Sequence, residues 1–223
     1  MGFNFSANTG YLWKELPFLD RIRSAKNHGF HSLEFHDEAH FEDLGDLKSL
    51  LKEVGLPVNS MNIRMGSSFG CAAIPDRQHI AQHDIREAAR LAQEIEAKAL
   101  HILSGLSEET QDAFETFVEN LEYALDHSTL NIVIEPVCEE QLPGYFLRTL
   151  EQAAQVLDAV NNPRLKIMFD CYHVFTQSGD LMEHFSQFIN EGKFAEHIRK
   201  MRRLYRDRRD MLLNCLVKTA RTA

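Results

Sequence analysis

The 223-residue sequence predicts an α/β fold built on a parallel sheet, and three observations predict it. Short apolar runs alternate with amphipathic stretches six times, at roughly the 30-residue length of a strand–helix unit. The strands are apolar almost throughout, as expected where helices cover both faces of a sheet or a barrel closes. Two of the runs, at residues 131–134 and 165–169, end in an acid, Glu135 and Asp170. Carboxylates so placed stand at C-terminal strand ends, where parallel α/β folds carry their chemistry. The pattern alone does not separate a closed barrel from an open sheet.

In order, residues 3–7 read as a first strand that delivers Asn8 to its end. Leu16, Leu19, Ile22 and Ala25 recur at helical spacing, and Asn27-His28-Gly29 closes that helix. Residues 32–35 are a second strand. Leu44, Leu47, Leu50, Leu51 and Val54 form an amphipathic stripe, which Gly55 ends as a left-handed cap. Residues 58–62 are a third strand, weaker in composition. Residues 64–77, with Gly66, Gly70 and Pro75, form an irregular loop of a length that is usually functional or mobile.

Ile85, Ala88, Ala89, Ala92 and Ile95 mark a third helix, and residues 99–103 a fourth strand. Ser107 is the expected N-cap of a fourth helix, with Phe114, Phe117, Val118, Leu121 and Leu125 on its buried face. The Glu135 strand comes next, then a helix with Leu150, Ala153, Ala154, Leu157 and Val160, stopped by Asn161-Asn162-Pro163. The Asp170 strand follows, and Leu181, Phe185 and Phe188 suggest a sixth helix.

Bulk properties narrow the function. The length suits one domain with a sizeable core. No run approaches the roughly 18 apolar residues of a membrane span, and no signal-peptide pattern opens the chain, so the expected location is cytoplasmic. Cys71, Cys138, Cys171 and Cys215 are scattered and read as reduced thiols. Cys138 and Cys171 lie near the two acids, but a hard cation prefers oxygen. The formal charge of −9 hides an asymmetry: residues 1–198 hold 15 Lys/Arg and 31 Asp/Glu, whereas residues 199–223 hold nine basic residues against Asp207 and Asp210. The acidic body speaks against nucleic acid as the target of residues 1–198, because phosphate binding needs a basic face.

Two strand-end carboxylates suit one shared Mg²⁺ or Mn²⁺, which favour carboxylate and water oxygens. The competing reading makes them helix N-caps or solvated loop acids. His173 lies three residues past Asp170 and is no ligand pattern by itself. His101, inside an apolar strand, reads as a hydrogen-bonded core residue. Arg77 ends the long loop, either as a clamp on an anionic substrate or as a surface arginine. Glu34 at the second strand's end is ambiguous in the same way. There is no Walker-type loop, GxGxxG, GxSxG or HExxH.

Several stretches resemble the hydroxypyruvate isomerase family. They are Asn4-Phe-Ser-Ala-Asn8, Glu15-Leu-Pro-Phe-Leu19, Gly29-Phe30, Leu33-Glu34-Phe35 and Ala73-Ile-Pro-Asp-Arg77, followed by Glu119-Asn120-Leu-Glu-Tyr-Ala124, Ile134-Glu135-Pro136, Pro143-Gly-Tyr-Phe146 and Asp170-Cys-Tyr-His173. The likeness runs in order to about residue 198. It implies a xylose-isomerase-like TIM barrel, here incomplete at about six βα units, with residues 199–223 as a basic helical or disordered tail. It also implies interconversion of hydroxypyruvate and tartronate semialdehyde with a divalent metal. Glu135 would be metal ligand and acid/base, Asp170 a metal ligand, and His173 and Arg77 substrate contacts. The implied partner is a small sugar-acid or keto-acid substrate.

The sequence also departs from that family. Cys138 stands where the family usually has Asn, and the loop after Asn62 is shorter and less acidic. Arg199 follows His197-Ile198 where a metal-binding Gln is expected, and the strand bringing a second catalytic glutamate is not found. A guanidinium offers no lone pair to a metal. The expectation is therefore much reduced or absent isomerase activity, with self-association through two unpaired sheet edges. A non-catalytic binding protein is the alternative, and a metal-dependent nuclease or lyase on the same fold is a third reading.

Overall fold

The computed structural model describes residues 4–179. Its strands are β1 (Ser6–Asn8), β2 (Ser32–Phe35), β3 (Val58–Asn62), β4 (Ala99–His101), β5 (Asn131–Ile134) and β6 (Leu165–Ile167). They pair in chain order, each parallel to its neighbours. Helices α1 (Phe18–Asn27), α2 (Leu44–Val54), α3 (Gln78–Glu94), α4 (Gln111–His127) and α5 (Leu150–Val160) connect consecutive strands, and α6 (Cys171–Ser178) follows β6. Parallel neighbours require such crossovers, so every strand delivers its C-terminal end to the same side of the sheet. Among the described residues the sheet is not closed: β1 pairs only with β2, and β6 only with β5. Among those residues no helix is long and apolar enough to cross a membrane.

The helices sit where their apolar stripes predict. Ile22 and Ala25 of α1, Leu47 and Leu50 of α2, Ile85, Ala88 and Ala92 of α3, and Ala153 and Val156 of α5 are buried against the sheet side. Asp43 caps α2 by accepting from Asp46 N at 3.0 Å, and Gly55 ends it at φ +64°. Asn161 ends α5 in the same left-handed conformation.

Three local expectations shift. The fourth helix is capped by Thr110, which accepts from Ala113 N at 3.2 Å, rather than by Ser107. Its Phe117, Leu121 and Leu125 are buried as expected, but Phe114 and Val118 are only half-buried. The fully buried Asn120 lies on that face instead, and its Nδ2 donates to Ala72 O at 2.8 Å. The fourth strand ends at His101, although Ile102 N still donates to Val133 O. A helix begins directly after Asp170, earlier than Leu181, Phe185 and Phe188 suggested; those residues and the tail at 199–223 lie outside the described residues.

The loop at 64–77 is pinned. It contains 3₁₀ turns at Gly66–Ser68 and Pro75–Arg77, and its backbone meets the segment after β4. Ala72 N donates to Leu103 O and Ala73 N to Ser104 O, at 3.2 and 2.7 Å. Small residues make this approach possible. Gly70, at φ +88°, has Leu103 O where a Cβ would stand, only 2.4 Å away. Gly70→Ala combines a left-handed backbone with a backbone clash, so it should destabilise the protein by at least ~2 kcal/mol. Urea unfolding checks this; an unchanged midpoint would contradict the pinning.

Candidate metal centre

The C-terminal ends of β5 and β6 bring Glu135 and Asp170 together. Ile134 lies opposite Ile167, and Met168 N continues the ladder to Ile134 O at 2.8 Å. Both acids therefore leave adjacent strands on the same side of the sheet. Ligand atoms of Glu135, Asp170 and His173 lie within 4.8 Å of one another. The set is two carboxylates and one imidazole, all partly or wholly buried.

Asp170 has two attachments. Its Oδ1 accepts from Tyr172 N at 2.6 Å and His173 N at 3.2 Å, and its carbonyl accepts from Val174 N. These are the bonds of an N-cap, so Asp170 starts α6 and also faces Glu135. The helix N-terminus supplies positive potential beside the acid pair. The N-cap reading of Asp170 and the site reading thus describe one residue. His173 falls in the first turn of α6, which aims it back at the carboxylates. It is buried, and its Nδ1 lies 3.2 Å from the Cys138 thiol. Burial lowers its pKa, partly offset by Asp170.

Burial pushes the Glu135 carboxyl up to about 8, and the charges of Asp170 and Glu34 push it in the same direction. Glu34, at the end of β2, is itself raised by desolvation. Three acids thus share one end of the sheet, and no basic group appears among the causes of the Glu135 shift. Such a group keeps a proton at neutral pH or exchanges it for a cation. That donor set, rich in oxygen and short of positive charge, fits a divalent ion.

Sequence reasoning passed over several neighbours. Tyr11 is raised by desolvation and then by Glu135 and Asp170, which places its phenol within reach of their field. Its ring meets His36 edge-on at 4.8 Å. Gly10 precedes it because the His36 ring fills the space of a Cβ, 2.2 Å away. The available signal was the segment Asn8-Thr9-Gly10-Tyr11 at the end of a strand. Tyr145 is buried, accepts from Ser104 N at 3.1 Å, and is pushed by burial up to about 12. His101 is a core residue as expected: Nδ1 pairs with Asn62 Oδ1 at 3.0 Å and burial drives its pKa down to about 3.

Arg77 lies apart from the three-residue cluster in its bonding. It is exposed, and its Nη1 donates to Ser68 Oγ at 3.3 Å within the pinned loop.

Comparison with known proteins gives the fold its family. Residues 22–205 match the profile of the xylose isomerase-like TIM barrels. The chain belongs to that family. Among xylose isomerase-like relatives, it is 30% identical to the 2-oxo-tetronate isomerase of Pectobacterium atrosepticum, over 80% of this chain and 72% of that one. It is also 30% identical to the hydroxypyruvate isomerase of Escherichia coli, over 84% of this chain and 76% of that one. A crystal structure of a family 2 AP endonuclease from Brucella melitensis superposes with a TM-score of 0.78 at 29% identity, covering 82% of this chain and 74% of that one.

The acid pair has a consequence for stability. The folded chain holds the Glu135 proton up to about pH 8, whereas the unfolded carboxyl releases it near 4.5. Between those values the folded state binds more protons, so stability falls as pH rises, by ~1.4 kcal/mol per pH unit at most. In chelator, the urea midpoint should fall between pH 6.5 and about 8; below 6.5 the buried, neutral His101 makes stability rise with pH and offsets the Glu135 slope. Glu135→Gln should flatten that slope and be the more stable protein at the alkaline end. An equally steep slope in the variant would show that another group causes it.

Proposed function

We propose that this xylose isomerase-like chain carries a metal-dependent isomerase site for a short 2-oxo acid bearing a hydroxyl on the next carbon, with turnover reduced because Arg199 stands where a metal-binding Gln is expected. The observation that carries this reading is the Glu135–Asp170 pair, two poorly compensated carboxylates on adjacent strand ends. The names of two relatives supply the substrate class, since hydroxypyruvate and 2-oxo-tetronate are both hydroxylated 2-oxo acids.

Glu135 and Asp170 would hold Mg²⁺ or Mn²⁺, the ions that oxygen-rich ligand sets favour. Bound there, the ion supplies Lewis-acid polarisation of the substrate carbonyl. Glu135 would also serve as the base, through a carboxylate oxygen not engaged by the ion. It takes a proton from the hydroxyl-bearing carbon and returns one to the former carbonyl carbon, while the hydroxyl proton passes to the former carbonyl oxygen. No oxidant is consumed. One carboxylate can serve both carbons because they are adjacent. His173 hydrogen-bonds a substrate oxygen, and Arg77 pairs with the substrate carboxylate from the loop at 64–77.

The endonuclease name of the Brucella structure supports a second reading, phosphodiester hydrolysis. The grouping of Glu34, Glu135 and Asp170 weighs against it, because a polyphosphate would meet negative charge.

In D₂O with Mg²⁺ or Mn²⁺, the protein should exchange deuterium into hydroxypyruvate and form tartronate semialdehyde, read by proton NMR. Glu135→Gln should lower the rate by at least ~100-fold. Asp170→Asn keeps a good N-cap residue and loses a charge, so it should raise the cation concentration required without unfolding α6. No metal-dependent exchange, with cleavage of abasic DNA instead, would replace the isomerase reading with the nuclease one.

A further inference from the structure

Cys138 and His173 meet with both side chains buried, the thiol sulfur 3.2 Å from Nδ1. Each is fixed through its own backbone. Cys138 O accepts from Gln141 N and Leu142 N, both at 3.1 Å, in the turn that follows Glu135. His173 N donates to Asp170 Oδ1 in the first turn of α6.

The contact allows two arrangements: S–H donating to a bare Nδ1, or Nδ1–H donating to sulfur. A neutral imidazole has one N–H and one lone pair, so the choice at Nδ1 dictates what Nε2 offers. A thiol is a weak donor and a weak acceptor, so the sulfur contact admits either arrangement. The ring and the two carboxylates have ligand atoms within 4.8 Å of one another, and with Nδ1 engaged by Cys138 the nitrogen free to serve the acid pair is Nε2. Carboxylate oxygens attract an N–H and repel a lone pair. The charge of the acid pair thus selects hydrogen on Nε2, which leaves Nδ1 to accept from the thiol.

We infer that Cys138 is a positioning residue that holds His173 as the Nε2–H tautomer, making His173 a hydrogen-bond donor to the site and not a cation ligand. Metal-ligating histidines show the reverse pattern, with the second ring nitrogen donating its N–H to a carboxylate or carbonyl. Here the second nitrogen faces a donor. An imidazole with its Nδ1 pair taken by the thiol and hydrogen on Nε2 has no electron pair to give a metal. The three-residue cluster therefore divides, with Glu135 and Asp170 serving the cation and His173 serving a substrate oxygen. The last assignment rests on the isomerase reading; the hydrogen bond does not.

The test is long-range ¹H–¹⁵N NMR of histidine-labelled protein in chelator at about pH 9, where the Glu135 carboxyl has lost its proton, with the His173 signals assigned by loss in His173→Gln. The wild-type ring should show a pyridine-type Nδ1 and a pyrrole-type Nε2, as a single tautomer. Cys138→Ala should lose that single form and give averaged nitrogen shifts, and Cys138→Ser, which restores a donor, should recover it. A wild-type spectrum with hydrogen on Nδ1 would overturn the inference, as would an alanine variant identical to wild type. Because the spectrum is read without metal or substrate, failure of isomerase turnover counts against the proposed reaction alone.

Discussion

Like charges held close together in a desolvated mouth repel, and much of this molecule is arranged to hold Glu135 and Asp170 in that position. Burial first, and then the charges of Asp170 and Glu34, push the Glu135 carboxyl up to about 8 from the 4.5 of a free carboxyl. A chain gains nothing in stability from such a pair. Under the proposed function its value lies in what would relieve it, a proton in one state and a divalent cation in another.

Holding the pair takes rigid parts on both sides. β5 and β6 fix the strand ends in register, and Asp170 is tied to two backbone N–H groups of α6. Beyond β5, Val137 N donates to Leu147 O and Leu147 N to Ser104 Oγ, while Ser104 N donates to the buried Tyr145 hydroxyl. Ser104 also receives Ala73 N from the pinned loop, so the loops after β3, β4 and β5 form one hydrogen-bonded rim. Asn120 reaches into that rim from α4, which explains an amide on an otherwise apolar helix face. Positions supported in this way hold their geometry against the repulsion between the acids.

Much of this was legible in the sequence because it depends on short-range patterns. Apolar strands ending in an acid, and stripes such as Leu47, Leu50 and Val54, report local periodicity and burial together. The start of α4 was misplaced because Ser107 and Thr110 are both competent caps, and only tertiary contacts choose between them. The contact of Cys138 with His173 joins residues 35 apart and leaves no periodic trace. Tyr11 and Glu34 were equally hidden as neighbours of the acid pair, since their relation to Glu135 exists only once β1 and β2 are laid beside the later strands. Barrel membership came from resemblance and was then supported by the family match, not by the strand pattern.

If the acid pair is a cation site held in reserve by a proton, binding must expel that proton. Calorimetric titration of the metal-free protein with Mn²⁺ at pH 7, in two buffers of different ionisation enthalpy, measures this directly. About one proton should be released per bound ion, because Glu135 is mostly protonated at that pH, and the release should vanish in Glu135→Gln. Saturable binding with no proton release from the wild-type protein would contradict the account.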